Sequence, residues 1–190
     1  LLLNVFNVPQ KALTVATYDD EKLTGAEYNY YYMSLYNQIY QMAYEYESMY
    51  SSYGSGYGAY FTGFDMSKDP AEQDYPYDDA PESVKTWGDY FKEMASTRAF
   101  LMNAMYEKAN SEEAKKLGFE ITEDLKKEIQ TEIDETIKSL EESASENDFA
   151  LDNYIARVCG EGLSEKSYRA LHEKDSVAQH YLTWYQEHLT

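Results

Sequence analysis

Cysteine and basic side chains are scarce in this sequence of 190 residues. The single cysteine, Cys159, excludes a disulfide within the chain and a zinc site built from cysteines, and we interpret it as a small buried apolar residue. Sixteen Lys and Arg residues stand against 35 Asp and Glu residues, so the formal net charge is −19. That charge repels phosphate backbones and anionic membrane surfaces, and the sequence therefore argues against nucleic-acid binding.

Motifs for catalysis and metal binding are missing from the sequence as well. It contains no Gly-rich phosphate loop, no His-Glu-x-x-His and no Gly-x-Ser-x-Gly. The three histidines fall eight residues apart, a spacing that does not bring them together on one helix face. Asp65, Ser67 and Asp69 begin like a calcium loop, but the twelfth position is Pro76 rather than Glu, which favours a simple acidic turn. We predict no catalytic residue, no metal and no cofactor for these residues.

Long apolar runs are absent too, since the usual ~20 apolar residues of a membrane-spanning helix occur nowhere in the sequence. The first residue is Leu1 rather than Met, so we interpret residues 1–12 as the stub of a trimmed apolar anchor or linker. Contact with a membrane is expected only through that removed segment. Residues 13–190 have the length of a single domain, and nothing in the sequence requires a second.

Tyrosine is the residue present in excess, with 21 copies, nine of them in residues 28–50. One set of side chains steps by threes and fours, which predicts the packing face of an amphipathic helix: Tyr28, Tyr32, Leu35, Ile39, Met42, Tyr46, Met49 and Tyr53. The remaining rings cannot all lie on that face, and they are predicted to meet another element, a partner or water: Tyr30, Tyr31, Tyr36, Tyr40, Tyr44 and Tyr50.

Boundary signals predict a mainly α fold of about five helices with a short N-terminal hairpin. Residues 13–24 alternate apolar and polar side chains around a turn at Asp19–Glu21. Thr24 and Glu27 have the spacing of a capping box, so the tyrosine-rich helix is expected to begin there. A long irregular connection, rich in Gly, Asp and Pro, follows over residues 51–80.

Three more long helices and one short helix are predicted after this connection. Thr86 caps a helix that is expected to reach Leu117, with a packing stripe of Trp87, Phe91, Met94, Leu101 and Met105. Thr122 caps a helix whose isoleucines recur every fourth residue. A short helix and a final long helix, capped by Ser164, complete the chain.

Three stretches, in the same order, resemble the N-terminal chaperone domains of SurA-like and PrsA-like proteins. LTVATYDDEKLTGAEYNYYY resembles their opening strand and helix start, with Asp19 and Asp20 in place of the usual Asn-Gly turn. LGFEITEDLKKEIQTEID resembles their step between two long helices, with Gly118, Ile121 and Thr122 in register. FALDNYIARVCGEGLSEKSYRALHEKDSVAQHYLTWY is similar to their closing segment of a short helix, a Gly-containing turn and a long helix ending in aromatics.

The resemblance covers nearly the whole chain apart from residues 51–80. It implies an extracytoplasmic folding factor that holds unfolded or exported polypeptides at the outer face of the cell membrane of a Gram-positive bacterium, as a membrane-anchored protein or lipoprotein. Many members of the family also carry a parvulin-type peptidyl-prolyl isomerase domain. No such domain is among these residues, so isomerase activity is expected only in a longer parent chain.

The surplus aromatic side chains are the predicted peptide-binding residues: Tyr36, Tyr40, Tyr44, Tyr50, Tyr57, Tyr60, Phe61 and Phe64. A Tyr ring offers apolar area together with a hydroxyl that tolerates water, so such a surface can bind varied segments and stay soluble when empty. One alternative is that the same rings form a fixed homodimer interface or dock a single partner. Another is that they stack on carbohydrate.

Overall fold

The computed structural model describes residues 14–18 and 21–189, and over them the fold is mainly α-helical, as predicted. The described elements comprise one hairpin and seven α-helices where about five were expected, and the short α2 and α4 account for the difference. Their bounds are β1 Thr14–Tyr18, β2 Glu21–Thr24, α1 Gly25–Met49, α2 Tyr57–Thr62, α3 Trp87–Ala109, α4 Glu112–Leu117, α5 Glu123–Glu146, α6 Leu151–Val158 and α7 Glu165–Leu189.

The strands β1 and β2 pair in an antiparallel hairpin, which confirms the alternating pattern. Ala16 lies opposite Leu23, and the Leu23 side chain is fully buried. Residues 19–20 of the predicted turn and residues 1–12, interpreted as an anchor stub or linker, lie outside the described residues.

The predicted starts of α1, α3 and α5 are confirmed by their caps. At α1 the N–H of Thr24 donates to Glu27 Oε2 over 3.0 Å, and the N–H of Glu27 donates to Thr24 Oγ1 over 3.3 Å. Thr86 and Asp89 form the same reciprocal pair at α3, and the Thr122 hydroxyl caps α5. These side chains satisfy N–H groups that have no partner within the helix, so a short local motif decides where each helix begins.

The described chain divides into two compact units. The first, here called the hairpin unit, contains the hairpin, α1 up to Tyr30, and the chain from Arg98 onwards. The second, here called the aromatic unit, contains residues 31–97. No helix among the described residues combines the length and the apolar character needed to cross a lipid bilayer.

Three helices, α5, α6 and α7, pack on one another in the hairpin unit. Ile129, Ile133 and Ile137 of α5 are buried, as their four-residue repeat predicted. Burial of each such side chain contributes about 1.5–3 kcal/mol relative to exposure. Arg169 of α7 binds Asp134 of α5 through Nη1 over 2.6 Å. The outer face of α5 carries charges that remain solvated.

The core of the aromatic unit is built mainly from rings. Phe64 and Phe91 are fully buried and Trp87 nearly so. Phe64 meets Trp87 and Phe91 edge to face, with ring centroids 5.4 and 5.9 Å apart. Tyr36 meets the same two phenylalanines edge to face at 5.9 and 5.7 Å. The negative ring faces and positive ring edges favour this arrangement.

The packing face of α1 differs from the predicted one. Tyr30 and Tyr31, which were placed outside that face, are buried. Three members of the predicted face are exposed instead: Met42, Met49 and Tyr53. A close approach to α1 is made at Ala43, where a Cβ atom on Gly58 would lie 2.5 Å from the Ala43 carbonyl oxygen. Small residues allow two backbones to approach closely. A packing face predicted from large apolar side chains does not include such residues.

The packing face of helix α3 also differs from the predicted one. Trp87 and Phe91 are buried as predicted, but Leu101 of the predicted stripe is exposed. Smaller residues dominate the buried positions further along the helix: Ala95, Ala99, Met102 and Ala109. The expectation that this helix continues to Leu117 is wrong, because α3 ends at Ala109 and a new cap starts α4.

Candidate functional site

Residues 51–80, predicted to be one irregular connection, contain short elements that pack within the aromatic unit. Helix α2 lies between two single 3-10 turns, Ser51–Tyr53 and Pro70–Glu72. The buried Gln73 side chain accepts the N–H of Asp65 over 2.7 Å and donates to the Asp65 carbonyl over 3.0 Å. A buried amide with its hydrogen bonds made fixes the surrounding backbone rather than destabilising it.

Two further hydrogen bonds hold the end of α2. The Trp87 indole donates from Nε1 to the Gly63 carbonyl over 2.8 Å, and the Tyr77 hydroxyl donates to the Thr62 carbonyl over 2.9 Å. Gly63 ends α2 with a φ of 67°, in the left-handed region that glycine adopts at low cost. The core tryptophan thus positions the helix that presents the rings described next.

Six rings from the end of α1, the adjoining turn and α2 make a continuous cluster, which we call the aromatic tip: Tyr46, Tyr50, Tyr53, Tyr57, Tyr60 and Phe61. Phe61 stacks on Tyr46 with 4.9 Å between centroids and meets Tyr60 edge to face at 5.1 Å. Tyr50 stacks on Tyr57 at 5.3 Å. Each ring of the aromatic tip therefore contacts at least one other ring of the cluster.

The aromatic tip leaves much of its ring area in water. Tyr53 is 77% exposed, Tyr60 78% and the neighbouring Met49 67%. An open cavity of about 280 Å³ lies between these rings, lined by Tyr53, Ser55, Gly56, Tyr57 and Tyr60. Contiguous exposed apolar groups with a polar rim are typical of binding surfaces.

A single carboxylate ties the two helices of the aromatic tip together. Glu47 of α1 accepts the N–H of Gly58 over 2.8 Å and the N–H of Gly56 over 2.9 Å. The hydrogen bond from Gly58 and, to a lesser extent, the one from Gly56 hold the pKa of the Glu47 carboxyl below its usual value of 4.5. Gly56 has a φ of 93°, so the turn places it in the left-handed region.

Half of the predicted peptide-binding residues belong to the aromatic tip, namely Tyr50, Tyr57, Tyr60 and Phe61. Tyr40 and Tyr44 are exposed on α1, and Tyr40 contacts Tyr36 at 5.9 Å. The sequence did not assign Tyr46, Tyr53 and Met49 to a binding surface, because their spacing placed them on the predicted packing face.

Two of the predicted binding residues are core residues instead. Phe64 is fully buried between Trp87 and Phe91, so it cannot contact a ligand without unfolding of the core. Tyr36 is half-buried against the same rings, and burial raises the pKa of its hydroxyl. Gly63, in the left-handed conformation, turns the chain toward the core just before Phe64. The spacing of aromatic residues in the sequence does not indicate this turn.

Other cavities and titratable groups offer weaker candidates. A cavity of about 610 Å³ in the hairpin unit is lined by mixed side chains that include Lys115 and Lys126. Each lysine already pairs with a glutamate of its own helix at 2.7 Å, so neither directs a charge toward a ligand. Burial raises the pKa of the Cys159 thiol to about 11, which keeps it protonated and unreactive.

The acidic turn at Asp65 is held by the protein's own groups. The Asp65 carboxylate accepts from the Ser67 hydroxyl over 2.6 Å and pairs with Lys68 at 3.0 Å, and these contacts lower its pKa to about 2. Within residues 14–18 and 21–189, no three His, Cys, Asp or Glu side chains are grouped closely enough to hold a metal ion.

Comparisons with protein-family models, with curated proteins and with solved structures find no match to this chain. The resemblance to SurA-like and PrsA-like domains stays a prediction from sequence motifs.

Proposed function

We propose that this chain is a chaperone domain of an extracytoplasmic folding factor, which binds unfolded or exported polypeptides through the aromatic tip. The observation that carries the proposal is the exposure of Tyr53 and Tyr60 on a continuous cluster of rings, with Met49 exposed next to it. Weak contact with many apolar segments requires apolar area without a deep, shape-specific pocket, and the open cavity between these rings meets that requirement.

The side chains of the aromatic tip suit variable partners. Tyr hydroxyls keep the empty surface hydrated, while Met49 supplies a flexible side chain that can adapt to different shapes. A promiscuous surface of this kind favours many partners over one. The motif resemblance supports an extracytoplasmic location and an isomerase domain in a longer parent chain, and both belong to the proposal.

Suppression of aggregation tests the proposal. The variant Tyr53→Ser/Tyr60→Ser removes the two most exposed rings and should weaken protection of a chemically unfolded client several-fold, since each ring supplies roughly 0.5–1.5 kcal/mol of contact. Helicity, followed by circular dichroism, should stay unchanged because neither ring belongs to the core. Light scattering of the client during refolding is the measurement.

Two matched variants sharpen this experiment. Tyr185→Ser removes a ring that is partly exposed in the hairpin unit and should leave protection intact. Tyr40→Ser/Tyr44→Ser tests whether the exposed α1 side chains outside the aromatic tip contribute. Full protection by the Tyr53/Tyr60 variant would refute the proposal. A stable dimer that this variant converts to monomer, with no effect on clients, would instead identify a fixed homodimer interface.

A further inference from the structure

The segment of the chain that forms the aromatic tip has no cationic side chain, and this composition narrows the class of polypeptide that the aromatic tip can bind. Between Lys22 and Lys68 the sequence has no Lys or Arg. Residues 28–64 contain two ionisable carboxylates, Glu45 and Glu47, and no histidine. Over residues 31–97, the whole aromatic unit, eleven Asp and Glu residues stand against three Lys residues.

Three kinds of negative potential meet at this surface. The faces of the exposed rings carry the negative part of the aromatic quadrupole. Helix α1 ends at Met49 without a basic residue in its last turn, so no side chain of that turn offsets the partial negative charge of its final carbonyl groups. Glu45, one turn before the end of α1, is exposed and accepts a 3.2 Å hydrogen bond from the neutral Gln41 side chain.

We infer that the aromatic tip selects polypeptide segments that carry arginine, or lysine, beside apolar residues. The guanidinium of an arginine stacks on a Tyr face, while the aliphatic part of the same side chain covers apolar area. One arginine therefore matches both the negative potential and the apolar character of the surface. This inference rests on the proposed function and names its substrate class. A second copy of this chain fits poorly, because it would bring the same carboxylates and the same cation-free rings together.

The net charge of −19 attracts any cationic peptide over a distance, so the experiment has to isolate contact at the aromatic tip. Three fluorescent peptides share the same apolar residues and carry three Arg, three Gln or three Glu side chains. Binding to the full chain is measured by anisotropy at 1 M NaCl, where the Debye length is about 3 Å and long-range attraction is screened. The Arg peptide should bind about tenfold more tightly than the Gln peptide, and the Glu peptide most weakly.

Two double variants assign the preference to the rings without changing the net charge. Tyr53→Leu/Tyr60→Leu keeps apolar side chains but removes the two most exposed ring faces, and it should lose most of the preference for the Arg peptide. Tyr53→Phe/Tyr60→Phe keeps the ring faces and should retain the preference. Both positions are largely exposed, so neither variant should alter the fold, which circular dichroism checks.

The possible results separate three claims: the cation preference, its assignment to the exposed rings, and the proposed function. Equal binding of the Arg and Gln peptides by the unaltered chain overturns the cation preference and leaves the proposed function standing. A preference that survives undiminished in the leucine variant overturns its assignment to the exposed rings of Tyr53 and Tyr60. Failure of all three peptides to bind refutes the proposed function, and the cation preference with it.

Discussion

At the scale of single residues, two phenylalanines three positions apart have opposite roles. Phe61 lies on the aromatic tip and is 43% exposed, whereas Phe64 is fully buried. Both were predicted to bind peptide, because composition alone does not distinguish them. The difference arises at Gly63, whose left-handed conformation redirects the chain between the two side chains.

Replacing each phenylalanine by alanine should lower the stability of the protein by different amounts, because Phe64 is buried and Phe61 is partly exposed. Phe64→Ala removes a ring from a closed core and should lower the free energy of unfolding by about 3–5 kcal/mol. Phe61→Ala removes a partly hydrated ring and should cost about 1 kcal/mol or less. Urea unfolding followed by circular dichroism measures both. Comparable losses for the two variants would contradict the assignment of Phe64 to the core.

At the scale of elements, the join between α1 and α2 depends on the Glu47 carboxylate. Its folded pKa is lower than its unfolded value, so its stabilisation is fully present above the unfolded pKa and is lost as the pH falls through the folded pKa. Glu47→Gln should therefore be less stable than the unaltered chain at pH 7. The gap should close as the pH falls below about 4.5, because the protonated acid then resembles the amide.

Urea midpoints at pH 7 and pH 3 provide the measurement. Glu45→Gln removes the same charge two residues away and is the matched control, since Glu45 accepts from a Gln41 side chain rather than from the backbone of the turn. Its midpoint should change little at either pH. A Glu47→Gln deficit of equal size at both pH values would show that the carboxylate charge is not what holds the turn.

The predictability of the elements depends on how local their signals are. The capping motifs at Thr24, Thr86 and Thr122 join groups only three residues apart, so the sequence specifies them and the helix starts agree. The packing faces of α1 and α3 depend on which side chains are small enough for close approach. The close contact between Ala43 and Gly58 depends on the relative position of two backbone segments, which the sequence pattern does not specify.

The candidate site could be predicted in part for the same reason. The excess of rings between residues 28 and 64 is evident from composition, and the predicted binding residues Tyr50, Tyr57, Tyr60 and Phe61 are exposed or partly exposed. The arrangement of the aromatic tip depends on Glu47 and on the folding of α2 within residues 51–80. Those contacts join positions nine and eleven residues apart, beyond any local motif.

At the scale of the whole molecule, the large negative charge opposes association through the exposed rings. The charge of −19 at pH 7 should fall toward zero near the sequence pI of about 4.4. Self-association, measured by light scattering, should therefore rise as the pH approaches that value. Tyr53→Ser/Tyr60→Ser should associate less than Tyr185→Ser at the same pH. Scattering that is independent of pH, or equal for the two variants, would contradict this account.

The placement of the two tryptophans gives each compact unit an intrinsic fluorophore. Trp87 is enclosed by the rings of the aromatic unit, while Trp184 belongs to α7 of the hairpin unit and stacks on the His188 imidazole at 5.2 Å. Trp184→Phe leaves Trp87 as the one indole of the chain, alongside the tyrosines. Indole fluorescence then follows unfolding of the aromatic unit without any attached label.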